Sequence, residues 1–104
     1  MTTPRITPPE DAIRHDDGER NGTFFVEREG RRVAELTYRM LGETALVDHT
    51  WVDPKLRGGK LAPKLVEAVV EWARHENRKI SPACSYVRMV MDRHPDAYRD
   101  VRKP

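Results

Sequence analysis

The stretch "HTWVDPKLRGGKLAPKLVEAVVEWAR", His49 to Arg74, changes its period halfway along. Up to Val52 it belongs to "TALVDHTWV", which reads as a strand with one face buried. After Asp53-Pro54 the period becomes helical. Leu61, Ala62, Leu65, Val66, Val69, Trp72 and Ala73 share one face, while Lys64, Glu67, Glu71 and Arg74 fall mostly on the other. A helix is expected from about Gly59 to Asn77. Between strand and helix sit Gly58 and Gly59, bracketed by Arg57 and Lys60. A helix start exposes about four unpaired backbone N–H groups and the positive end of the dipole. Glycines there let an anion approach with no Cβ in the way. Two readings stand side by side: an anion cradle, most simply for a diphosphate, or a turn that only converts strand into helix.

Upstream the pattern is strand-like. "TFFVERE" reads as a strand, "EGRR" turns the chain at Gly30, and "VAELTYRM" alternates Val33, Glu35, Thr37, Arg39 against Ala34, Leu36, Tyr38, Met40. Gly42 turns it again into the strand that ends at Val52. Three strands with tight turns predict an antiparallel meander. Downstream, "KISPAC" is a short fourth strand, and "SYVRMVMDRH" a second helix that Pro95 stops. The expected order is strand, strand, strand, helix, strand, helix, an α+β fold. Residues 1 to about 20, with Pro4, Pro8, Pro9 and the pair Asp16-Asp17, are expected to be a flexible arm, leaving one domain over 21–104.

With 104 residues, one modest core is available. Nineteen Lys and Arg against 17 Asp and Glu give a net charge of +2, and the acids are interleaved with the bases. That balance argues against a nucleic-acid-binding module and for no nucleic-acid partner. The single cysteine excludes an internal disulfide and suits a reducing compartment. No apolar stretch approaches the ~18 residues of a membrane span, and the N-terminus has no signal-peptide core. A cytoplasmic protein without a membrane partner is therefore expected. His15 and His75 share no ligand spacing with Cys84 or a carboxylate cluster, so no metal is expected. The oligomeric state is left open, a monomer being one option.

The stretch from His49 to Arg74, preceded by the meander and followed by "ISPACSYV" and "RHPDAY", resembles the short, minimal single-domain GNAT-type N-acetyltransferases, which use acetyl-coenzyme A. The likeness runs from about Asn21 to Val101. The superfamily signature is Gln or Arg, two residues, Gly, one residue, then Gly or Ala. Arg57 and Ala62 fill its ends, but Lys60 stands where the glycine is expected, and Pro63 removes an N–H from the first helical turn. Gly59 is expected to give the close backbone approach one residue early, with the Lys60 ammonium added to the phosphates.

The resemblance implies a mixed sheet splayed between the third and fourth strands, with pantetheine in the splay. It places Thr50, Trp51 and Val52 along the pantetheine and Arg57, Gly58, Gly59, Lys60, Leu61 and Ala62 around the diphosphate. The thioester would then lie near His49, where a backbone N–H can polarise its carbonyl. An unperturbed imidazole titrates near neutrality, so His49 suits the base that takes a proton from an ammonium acceptor; the alternative is a histidine bonded within the sheet. Asp48 falls on the opposite face under strict alternation and is not paired with it. Cys84, at a strand-to-helix junction, is either a nucleophile or a small buried hydrophobe. Tyr86 is implied as the donor to the departing thiolate, or else is packed at the rim. His94 suits a helix cap, with a coenzyme contact left open by the "RHP" match, and Trp51 and Trp72 suit core or rim.

The expected activity is acetyl transfer from acetyl-coenzyme A to an amine, a small molecule or a protein lysine, by direct attack or through Cys84. The alternative is a coenzyme A or acyl-coenzyme A binding module with little or no turnover.

Overall fold

The computed structural model describes residues 12–104. A five-stranded sheet in the order β1-β2-β3-β4-β5 is built from Arg14–Asp17, Asn21–Arg28, Arg31–Leu41, Thr44–Val52 and Lys79–Pro82. Helix α1 (Leu61–His75) crosses from β4 to β5, and α2 (Ser85–Arg93) and the single turn α3 (Pro95–Tyr98) follow. The first four strands pair antiparallel, and β5 joins β4 in parallel. That mixed pairing is what a helical crossover dictates, since parallel neighbours cannot be joined by a hairpin. The α+β fold expected from the alternation and the change of period is the fold observed.

β1 corrects one expectation. Arg14–Asp17 form a strand paired with Gly22–Phe25, not part of a loose arm. Its "RHDD" sequence carries no apolar signal, yet His15 stacks on Phe24 with ring centroids 3.9 Å apart and meets Trp72 edge-on. Residues 1–11 of the expected arm lie outside the described residues.

One face of the meander is the core face. Phe24 and Val26 of β2, Ala34, Leu36 and Tyr38 of β3, and Ala45 and Val47 of β4 are buried in one cluster with Leu61, Leu65, Val66, Val69, Val70 and Ala73 of α1. Burying a Val or Leu side chain is worth roughly 1.5–3 kcal/mol, so this layer dominates the stability. Tyr38 is fully buried, and it fits because Gly22 lies opposite it: a Cβ there would sit 2.3 Å from the Tyr38 hydroxyl oxygen. That hydroxyl donates to Asp17 Oδ1 (3.2 Å) and lies 2.7 Å from His15 Nε2, which ties β1 to the core. Burial and the neighbouring Asp17 carboxylate push the Tyr38 phenol well above its ordinary range.

Two irregularities interrupt the alternation. Val33 is an extra residue in β3, which is why Val33 and Ala34 are both buried. In β4, Thr37 pairs with His49 but Tyr38 pairs with Val47, so Asp48 is the extra residue. The strict alternation used to separate Asp48 from His49 therefore fails here, and both are exposed.

α1 stops two residues short of the expected Asn77. The Glu76 N–H caps back to the Trp72 carbonyl, and Asn77 takes φ 54°, the left-handed conformation that ends a helix. After α3, the Ile80 N–H donates to the Val101 carbonyl and the Lys103 N–H to the Ile80 carbonyl, so the C-terminal segment covers the outer edge of β5.

Candidate active site

β4 and β5 pair only from Thr44↔Lys79 to Val47↔Pro82. The Val47 carbonyl then accepts from both Ala83 N–H (3.0 Å) and Cys84 N–H (2.8 Å), which swings the chain away from β4 into α2. Beyond that point Thr50–Val52 runs on without a β5 partner. A cleft of about 220 Å³ opens there, lined by Thr50, Trp51, Val52, Leu56, Arg57, Gly58, Gly59, Leu61, Ala62 and Tyr86. It is smaller than the ~300–1,000 Å³ of pockets that enclose a whole drug-sized ligand, so it suits an extended arm whose bulk stays outside.

The far end of the cleft is the glycine turn. Asp53, buried, accepts the Lys55 N–H at 3.0 Å and caps a short 3-10 turn over Pro54–Leu56, while Arg31 reaches its other oxygen at 3.3 Å. Leu56 forms cleft wall. Arg57 folds back, its Nε donating to the Val52 carbonyl at 3.0 Å, so it clamps the end of β4 as well as supplying charge. Gly58 takes φ 82°, a conformation open to glycine at little cost. Gly59 does not, and a Cβ on it would lie 3.4 Å from the Leu56 carbonyl oxygen. The conformational demand thus falls on Gly58, while Gly59, expected to give the close backbone approach, has no positive φ.

Lys60 has φ −99° and ψ 0°, ordinary for any residue, which explains why a lysine is accommodated at the signature position. Its side chain makes no cap and does not line the cleft, unlike the other residues expected to hold the coenzyme. The first helical bond runs from Lys64 N–H to the Lys60 carbonyl, so the N–H groups of Leu61 and Ala62 have no partner inside α1. Pro63 falls at the third helical position, where its missing N–H breaks no helical bond.

At the near end, Cys84 is the residue preceding α2, and its Sγ lies 3.4 Å from Thr50 Oγ1. Tyr86, two residues on, lines the cleft. Burial raises its phenol above the ordinary value, with smaller contributions from Tyr98 and Cys84, so it is protonated at neutral pH. His49 lies on the other face of β4. It pairs with Thr37, while Thr50 pairs with buried Leu36, and its Nε2 is 3.5 Å from Glu35 Oε2. The three expected catalytic residues therefore divide, with Cys84 and Tyr86 on the cleft side and His49 on the opposite face.

Sequence reading missed Leu56, Asp53 and Glu35. Asp53-Pro54 carried a signal, since Asp before Pro is a helical start; Leu56 and Glu35 carried none. His94 ends α2 through its backbone N–H to the Met91 carbonyl. Trp72 packs against Tyr38 and Phe24, and Trp51 forms cleft wall. Among the described residues no group of three or more His, Cys, Asp and Glu is placed to hold a metal, and no helix is long and apolar enough to cross a membrane.

The sheet thus parts beside a glycine-turned helix start, with a mostly apolar slot between, an arrangement with room for an extended anionic ligand. Residues 23–101 match the family model of the GCN5-related N-acetyl-transferases. A GCN5-like protein of Staphylococcus aureus, solved by NMR, is 34% identical, with a TM-score of 0.68 over 90% of this chain and 89% of its own. The fold is shared with the ribosomal-protein-alanine N-acetyltransferase of Brucella melitensis biovar Abortus 2308 (17% identity, TM-score 0.59, 74% and 62% covered). It is shared also with the aminoglycoside N-acetyltransferase AAC(6')-Iy in complex with CoA (13% identity, TM-score 0.60, 79% and 88% covered). A search of curated proteins gave no match. The chain belongs to the GCN5-related N-acetyltransferase family.

Proposed function

We propose that the protein transfers the acetyl group of acetyl-coenzyme A to a primary amine, small molecule or protein lysine, in the cytoplasm. One observation carries this reading. The opening between β4 and α2 joins a helix-start anion site, turned by Gly58, to a slot that ends at Thr50, Cys84 and Tyr86. That is the shape of a ligand with phosphates at one end and a thioester at the other. The diphosphate would sit on the unpartnered N–H groups of Leu61 and Ala62, aided by the charge of Arg57 and Lys60. Pantetheine would lie along Thr50–Val52.

In this reading the amine comes from the His49 face. His49 takes a proton from the ammonium, and the freed nitrogen forms a bond to the thioester carbonyl carbon. The C–S bond breaks, the departing thiolate takes the Tyr86 proton, and the second proton shed by the attacking nitrogen returns through solvent to the Tyr86 phenolate, leaving an amide and a free thiol. No base touches the Cys84 thiol among the described residues, which favours direct transfer over a relay through Cys84. Cys84 then forms the wall behind Thr50.

The test is thiol release from acetyl-coenzyme A in the presence of a panel of amines, with the acetylated product identified by mass spectrometry. Release is expected with at least one amine, and His49→Ala should lower kcat by roughly 10²-fold or more, the usual share of a general base. Coenzyme binding without thiol release for any amine would make the protein a binding module.

A further inference from the structure

The bulge at Asp48 and the pair His49–Glu35 lie on the face of the meander away from α1. With regular alternation His49 would share the face of Ala45 and Val47, both fully buried. The extra residue turns His49 outward onto the face of Glu35 and Thr37. Asp48 is tied in that conformation, accepting from Thr37 Oγ1 at 2.6 Å, with Arg39 at 3.5 Å. Bulges next to reactive groups are a common way to re-aim one side chain without moving the sheet.

Glu35 is fixed from its other side. Arg32 NH1 donates to Oε1 at 3.3 Å, and the Arg32 guanidinium rests 4.1 Å above the Phe25 ring. Phe25, Arg32, Glu35 and His49 thus form a row across β2, β3 and β4. An exposed ion pair contributes little to stability. The His49 side chain is 51% exposed and that of Glu35 25%, so the acid is the better-held member of the pair.

Resting on the proposed transfer reaction, we infer that Glu35 is the positioning residue of His49. The 3.5 Å contact closes in the reactive complex, where the Nε2–H of the neutral ring donates to the Glu35 carboxylate. This fixes the tautomer and leaves the Nδ1 lone pair as the acceptor of the ammonium proton. The base nitrogen is therefore Nδ1, and the acceptor amine reaches it over the open sheet face. Thr37 and the Arg39–Asp48 pair border its path.

Two readouts test this on the whole chain. Ring ¹⁵N shifts of His49, recorded with the ring neutral, should report the Nε2–H tautomer in the parent protein and a mixture of tautomers in Glu35→Ala. In turnover, Glu35→Ala should lower kcat about tenfold, a fraction of the ~10²-fold or more tied to the base itself, with KM for acetyl-coenzyme A within about twofold. Glu35→Gln, whose amide oxygen still accepts from Nε2–H, should recover most of that loss. A parent-like tautomer and kcat in Glu35→Ala would overturn the assignment. A parent-like kcat in His49→Ala would instead overturn the base reading and with it the catalytic meaning of the pair. The ring shifts need no turnover, so they separate the two failures.

Discussion

The two ends of this sheet are built differently. β2 and β3 pair along nearly their whole length, with Phe24, Val26, Leu36 and Tyr38 closing a dry face under α1. β4 and β5 pair for four residues and then part. The first region spends its backbone polar groups on itself. The second leaves a strand edge and a helix start without partners, and such groups are available to a ligand. Stability and binding should then respond to different substitutions.

The largest effect is expected at the glycine turn. Gly58→Val forces a β-branched residue into a left-handed conformation, a cost of about 1–3 kcal/mol if the turn holds its shape. A turn this exposed can relax, so the fold should survive while affinity for acetyl-coenzyme A falls tenfold or more. Calorimetric titration with thermal unfolding checks both numbers. Gly59→Val should do less, since Gly59 has no positive φ. Equal affinities in parent and Gly58→Val would place the coenzyme elsewhere.

A smaller effect is expected in the paired region. Burial lowers the His15 imidazole below its ordinary value, offset in part by Asp17 and Asp16. The unfolded chain then binds the proton more tightly than the folded one. Above about pH 6.5, the ordinary imidazole value, both states are neutral at this site and its contribution is complete. It is lost as pH falls from there through the lower folded value. Urea unfolding from pH 8 to pH 5 should show stability declining through that window, and His15→Gln should flatten this component. Affinity for acetyl-coenzyme A at pH 7 should be alike in parent and His15→Gln. A profile that His15→Gln leaves unchanged would remove His15 from the link between β1 and the core.

The same contrast separates what the sequence disclosed from what it hid. Alternation in "VAELTYRM" and the helical spacing from Leu61 to Ala73 are periodic, and periodic burial follows from backbone geometry alone. The meander, α1 and the order of elements were legible for that reason. The extra residue at Asp48 was not, because a bulge leaves composition and spacing unaltered and only its cross-strand pairing reveals it. β1 was hidden by its polarity: His15 is held by stacking and by the Tyr38 hydroxyl, contacts that come from distant residues. At the site, the residues flanking the glycines were readable because glycine and charge at a helix start carry their own chemistry. Which glycine bears the positive φ, and which face His49 takes, depend on tertiary geometry.

The central claim is that the open β4–α2 region holds acetyl-coenzyme A. The most direct measurement is backbone amide NMR of ¹⁵N-labelled protein titrated with acetyl-coenzyme A. The largest shifts should fall on Thr50–Val52, Gly58–Ala62 and Cys84–Tyr86, with β1 and β2 nearly still. Saturating ligand that leaves those amides unmoved, or that moves β1 and β2 instead, would contradict it.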